Sequence, residues 1–415
     1  LNDIYSLLSK AKNKGIDAEI IYTNIKSIEL SKEKQHLGIS IDEEGYGLRI
    51  LLNQRIGFAY ANEISEKLLD SVIEASKVVD PDPANEIPKP EPISYEVSSI
   101  YNPELENPFE ILKEYLEIVK NVEDKVNITS VKCGGGVGKV KIVNTEGIDV
   151  ESKFSFLYIG VEANYIKDRV TPEIYEYIET RGPAKKLIVK IIDELVNKVE
   201  KMKNARKNEK RIKDVIFTPK AVNELIVPLL SHSISLENFY RGRSIFKENE
   251  HLEDNITIID DPTIPDSPYS RPFDGEGLPT RKVLIIDKGT VKSFLSNTYW
   301  ANKANKENTH SSSRTYMSLP AISTSNLVFN KETTSDLNDL VVIDQVQGVH
   351  TSDFDTGFFS VTASVAWDKE GGLRELVISG NLKDILKNIK AMGNDIRRYG
   401  KCLCGSLIVS NLHIA

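Results

Sequence analysis

The sequence predicts an α+β fold in which mixed and antiparallel sheets carry flanking helices. Blocks of strand-like alternation stand between segments whose apolar residues recur every three to four positions, the helical period. The order helix, strands, Glu-Gly turn, strands, helix occurs twice, once on either side of a Pro-rich stretch. The division that follows is an N-terminal α+β domain over 1–80, a linker over 81–100, a middle α+β domain over 101–205 and a C-terminal domain over 211–415. At 415 residues the chain is long enough for that division and for at least one sizeable core.

Leu1 to Gly15 places Ile4, Leu7, Leu8 and Ala11 on one helical face, with Gly15 as the C-cap. Ala18 to Leu30 alternates as a strand, Ile39 to Ile41 adds a short one, and Asp42-Glu43-Glu44-Gly45 is expected to turn. Gly45 to Ile50 and Arg55 to Ala59 read as strands paired around Asn53-Gln54, their glycines serving bulges and tight sheet packing. Ile64 to Val79 is an amphipathic helix stopped by Asp80-Pro81-Asp82-Pro83, and Pro108 to Val122 is the next helix, with Pro at its start.

Ile128 to Val143, Ile148 to Phe156 and Leu157 to Tyr165 form a strand meander. Its run Cys133-Gly134-Gly135-Gly136-Val137-Gly138 lacks the Lys-Ser/Thr end of a phosphate loop and has no helix after it, so a hairpin or bulge is expected. Lys185 to Lys203 is a helix whose basic continuation to Lys213 has no aromatic residue for base stacking and reads as a solvated helix end. Asp214 to Pro219 is a strand that leads into an apolar helical stretch from Glu224 to Ser244. Ile256 to Pro262, Val283 to Leu295 as a hairpin, Leu327 to Phe329 and Leu340 to Ile343 are strands, and Leu382 to Met392 is a helix.

Apolar residues at 40%, charged residues at 27% and a mean hydropathy of -0.28 are those of a soluble globular protein and exclude a disordered one. The net charge of -8 gives no general attraction to polyanions, so neither nucleic acid nor an anionic membrane is an expected partner. Three cysteines in a chain this long point to a reducing compartment, the cytoplasm. No apolar run approaches the roughly 18 to 20 residues of a membrane span, and the first residues do not resemble a secretory leader.

The stretch from Glu224 to Ser244 holds His232, Glu237, Arg241 and Arg243 within a dozen residues. A zinc peptidase places two His and a Glu on such a helix, because neutral imidazoles bind Zn²⁺ and the carboxylate activates the bound water. Here Ser233 stands where the base belongs, and Glu237 lies about 140° around the helix from His232, on its face only through a π-turn. No catalytic set is assigned. His232, Cys402 and Cys404 are weak metal candidates, with the two thiols expected on opposite strand faces so that at most one reaches the site. Candidates for a substrate cleft are Arg241, Arg243, the carboxylates Asp274 and Glu276 of a Gly-rich loop, His310, Arg314, His350 and Ser360. The adjacent His310 and Ser311 do not form a nucleophile and base, and the sequence has no Gly-x-Ser-x-Gly elbow.

Several of these segments resemble the TldD/PmbA family. The helix followed by Arg241-Gly242-Arg243-Ser244 is similar to the family's C-terminal domain. Gly45-Tyr46-Gly47-Leu48-Arg49 with Gly57-Phe58-Ala59, then Phe273-Asp274-Gly275-Glu276-Gly277, His350 through Gly357 to Ser360, and Ile378 to Leu382 resemble its other signature segments. The TldD branch carries HExxxH and a Cys ligand near its end. Laid on that motif, His232 matches the first His, Ser233 replaces the Glu and Glu237 replaces the second His, so the chain is similar to the TldE (PmbA) branch.

The resemblance implies strongly curved sheets and a C-terminal half that forms the core of a dimer. It implies a non-catalytic subunit that contributes dimer interface and part of the cleft to a TldD-type partner, the pair acting on unfolded peptides. No cofactor is implied for this chain, and zinc is implied for the partner. Two alternatives stand beside it: a divergent metallopeptidase using His232, Glu237 and Cys402 or Cys404, and a metal-free peptide-binding homodimer.

Overall fold

The computed structural model describes residues 2–32, 36–92, 100–166, 171–209, 211–252, 256–337 and 340–415. Strands β1 (Asp17–Lys32), β2 (His36–Leu52), β3 (Arg55–Ala61), β4 (Asn127–Asn144), β5 (Asp149–Asn164) and β6 (Ile174–Thr180) form one antiparallel sheet in the order β3-β2-β1-β4-β5-β6. The central pair is β1 with β4, in register from Glu19 opposite Asn144 to Lys32 opposite Val131. Segments 1–80 and 101–205 thus give three strands each to a single sheet.

Four amphipathic helices cover this sheet, each burying its apolar stripe against it. α1 (Asn2–Asn13) and α2 (Glu66–Lys77) press Ile4, Leu7, Leu68 and Leu69 onto Ile20, Leu48 and Ile50. α3 (Phe109–Lys120) and α4 (Lys185–Met202) press Leu112, Tyr115, Ile188 and Leu195 onto Cys133, Ile159 and Val161.

Local sequence signals are overridden at four places. The turn expected at Asp42–Gly45 is strand: β2 runs through it with Asp42 opposite Lys26 and Gly45 opposite Thr23, because a long ladder with β1 outweighs the turn propensity of four residues. The glycine run lies inside β4 and makes neither hairpin nor bulge; a Cβ on Gly136 would stand 2.1 Å from the Lys26 carbonyl, so bare backbone is what permits this approach of β1. The helix expected from Leu382 to Met392 stops at Lys387, and Ile389–Gly393 pairs as a strand with Leu407–Ser410. Lys198 is no solvated helix end: its ammonium is buried between Glu176 and Asp344, 2.8 Å from the latter.

The C-terminal region contains two further sheets. In one, Asp214–Phe217 runs parallel to Val341–Gln347 and antiparallel to Leu407–Ser410, and the sheet extends through Phe358–Asp368 to Arg206–Lys207. In the other, Thr257–Asp260 pairs with Val283–Asp287 and Leu327–Asn330, and the latter runs parallel to Cys402–Cys404. A helical stretch joins the two: its Leu225, Ile226, Leu229 and Leu230 share one core with Phe217 and Ile343 of the first sheet and Ile258, Leu327 and Cys402 of the second. The fold is therefore α+β with mixed and antiparallel sheets. No helix among the described residues is long and apolar enough to cross a membrane.

The N-terminal sheet meets the C-terminal region through Tyr316, which joins Ile21, Ile142, Ile148, Phe273 and Leu278 in an apolar cluster. Its ring lies over Gly45 and its carbonyl over Gly47: a Cβ would fall 2.2 Å from the ring at the first and 2.2 Å from the oxygen at the second. Gly45→Ala and Gly47→Ala are each expected to lower stability by about 1–3 kcal/mol through overpacking. Removing the ring with Tyr316→Ala should abolish the Gly45 penalty and leave the Gly47 penalty in place, since the carbonyl remains. Denaturant unfolding of the single and double variants checks this, and equal relief of both penalties would contradict the packing.

Candidate functional site

The stretch that opens the C-terminal core is not one helix. Thr218 accepts a capping bond from the Ala221 N–H at 3.3 Å, and Pro219–Ala221 leads into a π-helical turn, Val222–Ile226, then an α-helix, Val227–Ser233. Pro228 offers no N–H and its ring crowds the preceding turn, which the wider π geometry relieves. Ile234 closes the helix. Ser235 then sits in extended backbone and bridges to Leu295, so a separate helix begins at Leu236–Tyr240. His232 and Glu237 consequently stand on different helices. The π-turn lies upstream of His232 and does nothing to bring them onto one face.

At the surface, His232 Nε2 is 2.9 Å from Asp355 Oδ1, with the Phe354 ring edge-on at 5.7 Å. Arg243 approaches the other oxygen of Asp355 at 4.0 Å. Glu237 accepts from Arg241 Nε at 3.1 Å, and that guanidinium lies 4.9 Å over the Trp300 ring. Ser233, beside His232, is fully buried with no hydrogen-bond partner for its hydroxyl.

Cys402 and Cys404 occupy a strand, where residues two apart share a face, so the expectation of opposite faces is corrected: their sulfurs are 3.3 Å apart. Both thiols are enclosed in the apolar core, and burial pushes the Cys402 thiol well above its ordinary range, with Cys404 adding to the effect. These residues do not fit a zinc ion. The one imidazole is bonded to a carboxylate, the thiols are enclosed in the apolar core, and no group of three or more His, Cys, Asp or Glu among the described residues is placed to hold a metal.

Three other sequence motifs do converge. Arg49, from the Gly-x-Gly-x-Arg strand, donates to Glu19 of β1 at 3.2 Å and to Glu276 of the Gly-rich loop at 3.3 Å. Arg314 Nη2 lies 2.5 Å from the same Glu19, a charge contact without hydrogen-bond alignment. All four side chains are almost wholly enclosed. Burial works against charge on Arg49, yet Glu19 and Glu276 hold its pKa above the ordinary value; for Arg314 burial wins and lowers it. Glu276 is raised by burial, although Arg49 and the Thr298 N–H, which donates at 2.8 Å, favour its charge. Asp274 is saturated, accepting from the Glu276 and Leu278 N–H groups and from the Ser312 N–H and hydroxyl.

Beside this cluster lies a cavity of about 570 Å³ between the N-terminal sheet and the C-terminal region. Its walls include Ile21, Ile142, Phe154, Phe273 and Tyr316, and its lining cations are Arg181, Arg271, Arg314 and Lys401. Of the candidates read from the sequence, Asp274 and Arg314 line it, and Glu276 does not, being held by Arg49 in the ionic cluster. Arg241 and Arg243 belong to the His232 surface. His310 is buried, its Nδ1–H donating to the Pro279 carbonyl at 2.8 Å while Nε2 accepts from Arg281 at 2.8 Å. His350 is exposed on a single 3₁₀ turn, and Ser360 is exposed on the strand Phe358–Asp368, opposite Ser379.

Sequence reasoning missed Glu19, Arg181, Arg271 and Lys401. A signal existed for the first, since a charged residue interrupts the apolar run Ala18 to Ile21; the other three sit in loops and strand ends with no pattern around them.

Two family models match the chain: the PmbA/TldA metallopeptidase C-terminal domain over residues 210–415 and domain 1 of the same metallopeptidases over 18–78. The chain belongs to the TldD/PmbA family. It is 27% identical over 434 residues to an uncharacterised protein of Methanocaldococcus jannaschii, covering 98% of both chains. It is 22% identical over 437 residues to a metalloprotease PmbA homolog of Haemophilus influenzae, covering 98% of this chain and 93% of that one. The solved structure of TldE from Thermococcus kodakarensis shares the fold, with a TM-score of 0.87 at 21% identity and full coverage of both chains. Within this TldD/PmbA chain, the signature segments that carry Arg49 and Glu276 join the N-terminal sheet to the C-terminal region, whereas those that carry Arg241, Arg243 and Asp355 make ion pairs within the C-terminal region.

Glu224, at the start of the π-turn, supplies a pH prediction. It accepts from the Tyr175 hydroxyl and, at 2.8 Å, from the Val346 N–H, and burial pushes its pKa up to about 7 from 4.5 despite Lys220. Between those values the folded chain binds the proton more tightly than the unfolded chain, so this contribution to stability is present at pH 4 and lost as pH rises through 7. Glu224→Gln should therefore gain about 3 kcal/mol relative to the parent between pH 4.5 and 7.5. A difference in unfolding free energy that stays flat over this range would contradict the assignment.

Proposed function

We propose that this chain is a TldE-type, non-catalytic subunit of a TldD/TldE-type zinc metallopeptidase that processes unfolded peptides, working in the cytoplasm. The observation that carries this reading is the donor set around His232: one imidazole bonded to Asp355, a buried serine in the base position, and Glu237 on a separate helix tied to Arg241. A metal-bound water would find neither its ligands nor its base here. The divergent-peptidase alternative loses its remaining support because Cys402 and Cys404 face the apolar core. Three free thiols accord with a reducing compartment.

In this reading zinc and the HExxxH base come from a TldD-type partner. This chain supplies interface and part of the cleft, and its sheet edge at β3 and the cavity walls offer backbone and apolar contact to an extended peptide.

The test mixes this chain with a TldD-type partner and follows assembly by light scattering and cleavage of an unfolded peptide. A one-to-one complex should form, and only the mixture should cut. His232→Ala in this chain should leave the rate within about twofold, whereas Glu→Gln in the partner's HExxxH should abolish it, as expected for loss of a general base. Cleavage by this chain alone, or its loss in His232→Ala, would overturn the proposal; a stable homodimer that ignores the partner would favour the peptide-binding homodimer.

A further inference from the structure

The cavity beside the ionic cluster is lined by four cations and two carboxylates, Glu43 and Asp274, and Asp274 is already saturated by four donors. Arg314 faces Glu19, but its guanidinium nitrogens are enclosed without a hydrogen-bond partner. Arg181 spends its donors on four backbone carbonyls, those of Ser155, Ser267, Pro268 and Ser270, and makes no carboxylate ion pair within 4.0 Å among the described residues. Arg271 makes no carboxylate ion pair within 4.0 Å among the described residues, and its Nε is buried with no partner. Lys401 donates to the Thr324 carbonyl at 3.0 Å and to neighbouring hydroxyls, again without a carboxylate. The acids that act on these two cations include the saturated Asp274, on Arg271, and Asp260, on both, which is buried with its oxygens occupied by the Ser325 N–H and hydroxyl.

This is the reverse of the Arg49 cluster, where every charge meets its opposite. Burial lowers the pKa of Arg271, Lys401 and Arg181, the last to about 10, and Arg271 adds to the effect at Lys401, so an entering anion would stabilise all three. Much of the remaining lining is apolar: Ile21, Ile142, Phe154 and Phe273 border the same space, with the Arg181 guanidinium 5.8 Å from the Phe154 ring. A bare inorganic anion would leave those walls against water, whereas a carboxylate joined to an apolar side chain uses both.

We propose that the cavity holds the free C-terminal carboxylate of a peptide, with Arg271 and Lys401 on the carboxylate and the last side chain against Phe154 and Phe273. The proposal rests on the reading of the chain as a peptide-binding subunit and adds which end of the peptide is held and what residue type ends it. Arg271 and Lys401 come from segments far apart in the chain, the loop before the Gly-rich segment and the turn between the strands Arg397–Tyr399 and Cys402–Cys404, so the site forms only in the folded protein.

The test is calorimetric titration of the full chain with an acetylated hexapeptide ending in leucine, as the free acid and as the C-terminal amide, and with inorganic phosphate. The acid should bind at least about tenfold more tightly than the amide, as expected for charge-assisted hydrogen bonds in a sheltered site. Arg271→Gln and Lys401→Gln should each bring the two peptides close to equal affinity while leaving the amide's own affinity unchanged, which separates a lost contact from a misfolded chain. Arg271→Lys should keep part of the preference. Equal affinities for acid and amide in the parent would overturn the carboxylate site and leave peptide binding standing. Binding of neither peptide would overturn both readings. Phosphate that displaces the acid peptide at equal concentration would show a site for free anions and overturn the assignment to a peptide end.

Discussion

One buried ionic cluster, Glu19, Arg49, Glu276 and Arg314, fixes how the N-terminal sheet sits on the C-terminal region, and a second, Lys198 and Lys220 with Glu176 and Asp344, ties the same sheet to that region at β6. The members of the first come from β1, β2 and two C-terminal loops, so it forms only when all of these are in place. Enclosing four charges costs several kcal/mol for each ion, and the mutual attraction repays this only when no partner is missing. Such a cluster contributes modestly to stability as a whole, but removing one member leaves a buried, uncompensated charge at about 3–5 kcal/mol. It therefore discriminates against any packing of the two regions that separates the pairs. Tyr316 enforces the same register sterically, because its ring and carbonyl fit only where β2 has no side chain.

That junction sets the shape of the cavity next to it. The saturated carboxylate of Asp274 and the paired Arg314 form one wall, and the strands that carry Glu19 and Arg49 form the sheet beneath. Three further lining cations, Arg181, Arg271 and Lys401, make no carboxylate ion pair within 4.0 Å among the described residues. A family signature read from the sequence as a candidate site is thus in large part a clamp, and the reactive character of the region lies among residues the signature does not include. The His232 surface has gone the other way: its donors have been drawn into ordinary ion pairs and a helix break now separates the two positions that a metal would need on one face.

Much of the fold was legible in the sequence because amphipathic periods and turn residues act locally. α1, α2, α3, α4 and the Asn53-Gln54 turn, whose residues have φ of 50° and 62°, stand where spacing put them. The errors fall where a long-range ladder overrules a local preference, as at Asp42–Gly45, or where backbone approach from another strand explains a glycine, as at Gly136. Asp274, Glu276 and Arg314 were legible as polar residues in Gly- and Ser-rich loops, but the partners of Glu276 and Arg314 were not, since pairing across more than 200 residues leaves no spacing to read. Arg271 and Lys401 were invisible for the same reason. The two cysteines were visible, and their placement on one face follows from strand geometry alone.

The proposed division of labour leaves the catalytic metal to the partner, because the donors around His232 are held in ion pairs of this chain. Elemental analysis for zinc, on the chain purified alone and again after co-expression with a TldD-type partner, tests it most directly. The account predicts no zinc in the chain alone and about one per pair in the complex, as for a single peptidase centre with three protein ligands. Near-stoichiometric zinc in the chain alone, lost with His232→Ala, would contradict it.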